Sequence, residues 1–235
     1  MPLPRLRPSP GYVATSFSGW SDAALDFYRR LENQNDRSFW LANKAVYEAE
    51  VKAPFEALSA LVAEEFGPLR VFRPNRDVRF GKDRSPYKTR CYAVTEGAGG
   101  EAYYVELSAQ GLTAATGYWM MAPDQLARYR EAVDDDAVGP ELERIVAGVV
   151  AQGLEVEGPG LKTAPRGYAR DHPRVELLRR KSLAAMRRHP PAEWLGTPEA
   201  ADRIVEVWRA GGEMNAWLAR HVGPSTAPPP EARYR

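Results

Sequence analysis

The hydrophobic period of this chain changes twice, and the order of those changes restricts its fold. Apolar residues recur at helical spacing up to Gly67-Pro68, alternate in short β-like stretches through the middle, and return to helical spacing afterwards. The clearest β signal is a hairpin, in which residues 103–108 alternate and a tight turn at 109–111 leads into residues 112–121. This order predicts an α+β fold with a central antiparallel sheet flanked by N-terminal and C-terminal helices.

Capping residues and prolines locate the individual elements. Asp36 is expected to cap a helix, and Pro54 either kinks that helix or restarts it. Pro173 suits the first turn of a helix, with Val175, Leu178 and Leu183 on its buried side. We expect helices over about 21–33, 36–67, from 124, over 141–150, from 173 and from 197, and strands over 71–73, 77–80, 87–95 and 154–157.

A single domain over residues 16–222 is expected, because the flanking helices need the sheet to bury their apolar stripes. The two ends, residues 1–15 and 223–235, contain several prolines and little apolar surface. We therefore expect a flexible N-terminal segment and a flexible proline-rich tail.

Several classes of protein are disfavoured by what the sequence lacks. Its single cysteine, Cys91, cannot form an internal disulfide, which favours a reducing, cytoplasmic setting. It has no run of eighteen apolar residues and no signal-peptide pattern, so we expect a soluble protein without membrane contact. Motifs for nucleotide cofactors, zinc hydrolysis and serine hydrolysis are missing, and three histidines with one cysteine ligate zinc poorly. No cofactor and no metal are predicted.

Positive charge is concentrated in two blocks of the chain. Residues 70–90 and residues 166–190 each carry eight cations and two anions, a local charge of +6, whereas the whole chain has a net charge of +1. In one interpretation the cations lie on solvated faces or pair with acidic helices, as surface charges usually do. In the other, the two blocks meet and form an anion site, because arginine forks bind phosphate and carboxylate.

Four separated motifs identify a family resemblance. The segment D-V-R-F-G-K-D-R-S-P-Y-K-T at 77–89 resembles the R-F-x-x-D-K-S-P-Y-K signature of an uncharacterised family of conserved hypothetical proteins, a domain of unknown function. Residues 33–47, the segment G-Y-W-M-M-A-P and residues 165–181, which include D-H-P, are similar to further motifs of that family. Arg84 stands where the family usually has lysine. The resemblance implies an α+β domain over nearly the whole chain and implies no activity.

The resemblance also selects candidate site residues among the many cations and their neighbours. The candidate ligand-binding residues are Arg79, Lys82, Ser85, Tyr87, Lys88 and Arg166, and the candidate catalytic residues are His172 and Asp77. Each has a structural alternative. In that alternative, Ser85 only stabilises its turn and Tyr87 fills the core, His172 only caps a helix, and Asp77 only pairs with Arg79.

Three hypotheses about function remain open. In the first, residues 77–88 and 166–181 meet in a basic cleft that binds a small phosphorylated or carboxylated ligand, with or without enzymatic turnover. In the second, the protein is a non-enzymatic module that binds nucleic acid or a protein partner through one flat basic face. In the third, the motif at 77–88 is purely a folding device.

Overall fold

An antiparallel sheet with strands of different lengths forms the centre of the computed structural model, which describes residues 16–77, 83–97 and 99–226. Within those residues the sheet has six strands in the order β1-β2-β3-β4-β6-β5, with every neighbouring pair antiparallel. The strands are β1 Arg70–Val71, β2 Arg90–Glu96, β3 Ala102–Ser108, β4 Gly111–Tyr118, β5 Glu155–Glu157 and β6 Leu183–His189. The predicted α+β class and central antiparallel sheet are confirmed.

The N-terminal helices comprise a first helix, which packs against the segment that follows it, and a second, longer helical stretch that contains a π-helical turn. They are α1 Asp22–Asn33, α2 Arg37–Val46, a π-helical turn Tyr47–Lys52 and α3 Ala53–Phe66. Asp36 caps α2, because its carboxylate accepts the backbone N–H of Phe39 at 2.8 Å. Pro54 lies in the first turn of α3, where its missing N–H is tolerated, and the π-helical turn precedes it. The backbone keeps right-handed helical dihedral angles at Val46, Tyr47, Lys52 and Ala53, so the helix continues through the π-helical turn into α3.

The C-terminal helices pack on the same face of the sheet and beyond its end. They are α4 Pro123–Asp134, α5 Gly139–Ala151, the single turn α6 Val175–Leu178, α7 Glu199–Ala210 and α8 Gly212–His221, with a 3₁₀ turn at Glu193–Gly196. Helices α7 and α8 contact β4, and the indole N–H of Trp208 donates to the carbonyl of Tyr104 at 3.1 Å. These helices cover one face of the sheet, and in the part of the chain that the structure describes no helical residue lines the cavity on the other face.

One hydrophobic cluster joins these elements. It runs from Phe17 to Val222 and takes alternate residues from each long strand, such as Val105 and Leu107 of β3. Residues 1–15 and 227–235 lie outside the described residues, so the flexible ends stay a prediction. The described start of the tail contacts α4, where Asp124 accepts hydrogen bonds from Ser225 and Thr226 at 2.8 Å. None of the helices described is long and apolar enough to cross a membrane.

The prediction of a helix that includes Leu183 is wrong. Helix α6 ends at Leu178, and Leu183 begins β6, which lies between β4 and β5. The sequence L-A-A-M-R-R-H of β6 contains good helix formers. Pairing with a strand on each side outweighs that local preference.

The thiol of Cys91 should be unreactive in the folded protein. It lies on the helix-covered face of β2, is 2% exposed, and stands 3.9 Å from the hydroxyl of Tyr47. Burial raises the pKa of this thiol to about 12, so almost no thiolate is present at pH 8. We expect iodoacetamide at pH 8 to leave the native chain unmodified by mass spectrometry and to add one carbamidomethyl group in guanidinium chloride. Rapid alkylation without denaturant would contradict this burial.

Candidate functional site

The two faces of the sheet carry different side chains. Along β2, β3, β4 and β6, one set of alternate residues is buried under helices and the other faces a cavity of about 550 Å³. Small-molecule sites are usually clefts of roughly 300–1,000 Å³. We call this cavity the sheet groove, and its walls and floor are defined by three rows of residues that the strand register aligns.

The first row of the sheet groove is polar. Tyr92 pairs with Glu106, Glu106 with Thr113, and Thr113 with Arg188. Because paired residues project from the same face of a sheet, a phenol, a carboxylate, a hydroxyl and a guanidinium stand in one line across four strands. The row offers hydrogen-bond acceptors and donors and both signs of charge.

The next two rows are mostly small and apolar. They read Tyr104–Ala115–Met186 and Ala102–Gly117–Ala184. Gly117 has a φ of 132°, and a β-carbon there would lie 2.2 Å from the carbonyl oxygen of Leu183, so only glycine fits. Ala115 is 6% exposed, whereas Trp119, just after β4, is 51% exposed. The groove therefore has a low, buried floor along β4 and a large aromatic residue at one end.

Glu106 is fixed within the groove by two donors. The hydroxyl of Tyr104 donates to its Oε2 atom, and Nε of Arg90 lies 3.2 Å from the same atom. The Glu106 side chain is 17% exposed. Burial, and then the charge of this carboxylate, raise the pKa of Tyr104 well above its ordinary value, so its hydroxyl stays a donor.

An aromatic wall with cations stands on the β1–β2 side of the groove. The rings of Phe72 and Tyr92 stack with centroids 4.6 Å apart. The guanidinium of Arg70 lies 4.5 Å from the centre of the Phe72 ring, and the ammonium of Lys88 lies 4.8 Å from that of Tyr92. These distances are those of cation–π contacts.

Arg188 stands on the opposite side of the groove and is paired with acids of the edge strand. Its guanidinium bonds the carboxylates of Glu155 and Glu157, the latter at 2.7 Å. The side chains of Arg188 and Arg90 are 52% and 58% exposed. Both guanidinium groups therefore border the groove with open surface, although each already has a carboxylate partner.

Comparison with known proteins shows the family of this chain. The family model for a conserved hypothetical protein, DUF2461, matches residues 23–217. The chain belongs to the DUF2461 family. No curated protein and no solved structure matches it. The resemblance inferred from the motifs is confirmed, and membership of DUF2461 brings no described activity with it.

In this DUF2461 chain, Ser85 and Tyr87 have structural partners. Asp83 accepts hydrogen bonds from the backbone N–H and the hydroxyl of Ser85, at 2.9 and 2.6 Å, which closes a turn. The Tyr87 ring is 7% exposed and stacks on Trp40 with centroids 4.4 Å apart. Asn35 donates to the carbonyl of Tyr87 at 2.9 Å and accepts its N–H at 3.1 Å. The segment is thus tied to the N-terminal helices.

Lys88 is the predicted ligand-binding residue that the structure places nearest the groove. Its ammonium donates to the carbonyl of Arg73 at 2.9 Å and to the hydroxyl of Tyr92 at 3.3 Å. Arg79 and Lys82 lie outside the described residues. Asp77 borders that gap and is half-buried, so roles for these three residues stay predictions.

His172 and Arg166 belong to another part of the molecule. The Nδ1 atom of His172 accepts the N–H of Arg174 at 3.0 Å, and its Nε2 atom lies 3.1 Å from a carboxylate oxygen of Asp134 at the end of α4. Both ring nitrogens are therefore occupied. Arg166 is exposed in the loop between β5 and α6.

Among the described residues, Lys88 lies on a different part of the sheet from His172 and Arg166, and because Arg79 and Lys82 lie outside those residues, a cleft shared by the two blocks stays a prediction. Lys88 contacts the β1–β2 edge of the sheet, whereas residues 166–181 lead into β6, and β3 and β4 lie between β2 and β6. The two blocks also meet opposite ends of the sheet. Arg90 begins β2 opposite Ser108, and Leu183 begins β6 opposite Tyr118.

Much of the second basic block is used by the fold. Arg174, 5% exposed, donates to carbonyls of Val133 and Asp134 at 2.6 and 2.8 Å at the end of α4. Arg179 donates to the carbonyl of Leu161 at 2.8 Å.

Among the residues that the structure describes, no group of three or more histidine, cysteine, aspartate or glutamate side chains is placed to hold a metal ion.

Sequence reasoning missed Glu106, Arg188 and the small floor of the groove. The alternation of the hairpin was the available signal, because it places Tyr104 and Glu106 on the face opposite Val105 and Leu107. This alternation does not reveal β6, the strand that carries Arg188, because the sequence predicts that Leu183 belongs to a helix.

Proposed function

We propose that this protein binds a small anionic ligand, phosphorylated or carboxylated, in the sheet groove. One observation carries the proposal: exposed guanidinium groups border the groove on both sides, Arg90 on β2 and Arg188 on β6, above a floor of small buried residues. Arginine forks bind carboxylate and phosphate oxygens. A ligand anion would share or replace the acidic partners that these arginines now have.

The groove has the composition expected of a small-molecule site. Such sites combine apolar and aromatic walls with a few fixed polar groups. Tyr92 and Tyr104 supply aromatic surface, and Glu106 and Thr113 supply polar atoms. Turnover of the ligand is a further proposal, for which Glu106 is the group with the most suitable position, since it combines low exposure with direct access to the groove.

Replacing Arg90 should weaken ligand binding. A thermal-shift screen of nucleotides, sugar phosphates and carboxylic acids identifies binders, and calorimetry then measures their affinity for the Arg90→Gln and Arg188→Gln variants. Loss of a charge-assisted hydrogen bond should reduce affinity roughly tenfold or more in at least one of them.

Arg166→Gln is the matched control for this experiment, since it removes an exposed arginine that does not line the groove and that the sequence favours as a ligand residue. Its affinity should equal that of the unchanged protein. Loss of binding in Arg166→Gln alone would move the site to the loop between β5 and α6 and refute the groove as the site.

A nucleic-acid module is the second candidate, favoured by the aromatic wall with its cations, Arg70 and Lys88. Single strands bind through stacking on such rings and lose affinity steeply as salt rises. A titration of short oligonucleotides at increasing salt separates the two candidates. Contacts to many phosphates make the affinity fall steeply with salt, and contacts to a small ligand do not.

We also propose a cytoplasmic setting, with which the unpaired Cys91 is compatible.

A further inference from the structure

Glu106 gives the sheet groove a property that simple anion binding does not explain. Its carboxylate faces the same cavity as Arg90 and Arg188, so it repels the anion that those arginines attract. Its Oε2 atom accepts from Tyr104 and pairs with Arg90. Its Oε1 atom has no hydrogen bond to any residue that the structure describes.

The Oε1 atom of Glu106 can accept a hydrogen bond from a ligand. A carboxylate held by an arginine only accepts hydrogen bonds, and each oxygen can accept more than one. Because Glu106 lies within the groove and is only 17% exposed, an occupant of the groove would strip water from this oxygen. A buried carboxylate oxygen left without a donor disfavours binding.

We propose that the ligand is amphoteric: an anion that also carries an N–H donor for Glu106 and an apolar body for the small floor. This rests on the proposed function, and it adds the class of ligand. Glu106 and Arg188 stand on either side of Thr113, two strand spacings or roughly 10 Å apart at the backbone. The groove therefore presents opposite charges within the span of one small molecule.

The rows next to this polar row specify the apolar body. Tyr104 and Met186 flank Ala115, and the members of the following row on β3, β4 and β6 are alanine, glycine and alanine, with the exposed ring of Trp119 beyond them. A flat or branched apolar group fits above Ala115 and Gly117, since the described residues at these two positions of the groove have small side chains or none. Two kinds of compound have all three parts: an α-amino acid with an apolar side chain, and a nucleoside monophosphate whose base bears an amino group.

Two pairs of probes distinguish these sources and test the donor directly. Phenylalanine is compared with 3-phenylpropionate, and adenosine monophosphate with purine riboside monophosphate. The members of each pair differ by one amino group. Binding is followed by calorimetry or by NMR. The NMR probe is the indole N–H resonance of Trp119, a residue at the end of the groove, and the Trp119→Phe variant assigns this resonance.

In the pair that binds, we expect the amino-bearing member to bind at least tenfold more tightly. Glu106→Gln should reduce this difference in affinity. Because the substitution removes the negative charge, it should weaken binding of the amino-bearing probe and strengthen binding of the probe without the amino group. A purely structural role for Glu106 would shift both probes in the same direction. Circular dichroism and the melting temperature check that Glu106→Gln is folded, and Tyr104→Phe, which leaves the carboxylate in place, should retain a preference for the amino-bearing probe.

The outcomes separate the two proposals. If an anion binds in an Arg90-dependent or Arg188-dependent way, and neither the amino group nor Glu106→Gln alters its affinity as described, the amphoteric class is refuted while the anion site stands. If no anion in the screen binds through either arginine, both proposals fail. Equal affinity of the unchanged protein for 3-phenylpropionate and phenylalanine would refute the amino-acid class. Equal affinity for adenosine monophosphate and purine riboside monophosphate would refute the nucleotide class.

Discussion

Arg174→Met should destabilise the protein by about 2–4 kcal/mol, the loss expected when a buried, charged hydrogen-bond network is removed. Arg174 is 5% exposed, and its guanidinium donates to the carbonyls of Val133 and Asp134 and to the carboxylate of Asp136 at 2.6, 2.8 and 2.7 Å. It thereby satisfies carbonyls at the end of α4, where a positive charge also complements the helix dipole. Methionine fills similar space and donates nothing.

The measurement is equilibrium unfolding in urea at constant ionic strength. Arg170→Met is the matched control, because Arg170 belongs to the same basic block and is exposed, and surface substitutions usually change stability by less than about 0.5 kcal/mol. Arg174→Lys keeps the charge without the planar fork and should fall between the two. Equal stability of the Arg170 and Arg174 variants would show that the buried guanidinium does not stabilise α4.

This result bears on how the second basic block should be interpreted. The sequence alone does not show which arginines in a run of cations cap a helix and which are available to bind a ligand. Arg174 and Arg188 are both in the block, and only the second borders the groove. The distinction depends on the end of α4 and on β6, which are distant in sequence from one another.

The parts of the fold that the sequence predicted are those with local causes. The β3–β4 hairpin combines alternation with a tight turn, and Asp36 caps α2 three residues before the N–H that it accepts. In β6 the local signal points the wrong way, because alanine, methionine and arginine favour a helix. Its strand conformation comes from β4 and β5, partners that no local window contains.

The candidate site follows the same division. The sequence directed attention to the first basic block, and Lys88 does lie against Tyr92 at the edge of the groove. The polar row, however, takes Tyr92, Glu106, Thr113 and Arg188 from four strands, and it exists only in the observed register. A shift of one residue in any strand would send its member to the helix-covered face.

The largest effect at the motif 77–89 should come from Tyr87→Ala, which we expect to cost about 3–5 kcal/mol of stability. The Tyr87 ring is 7% exposed, stacks on Trp40 at 4.4 Å, and its backbone exchanges two hydrogen bonds with Asn35. Removing the ring leaves a cavity between the segment that follows residue 82 and α2. Unfolding in urea, monitored by circular dichroism, measures the loss.

Tyr87→Phe is the control that separates packing from ligand recognition. It keeps the ring and its stack on Trp40, so stability should change by less than about 0.5 kcal/mol, as for substitutions that preserve packing. If Tyr87 serves the fold alone, the affinity of any groove ligand should also be unchanged in Tyr87→Phe. A variant that is as stable as the unchanged protein and has lost ligand binding would return the tyrosine hydroxyl to the site, because the phenol oxygen is the only group that the substitution removes.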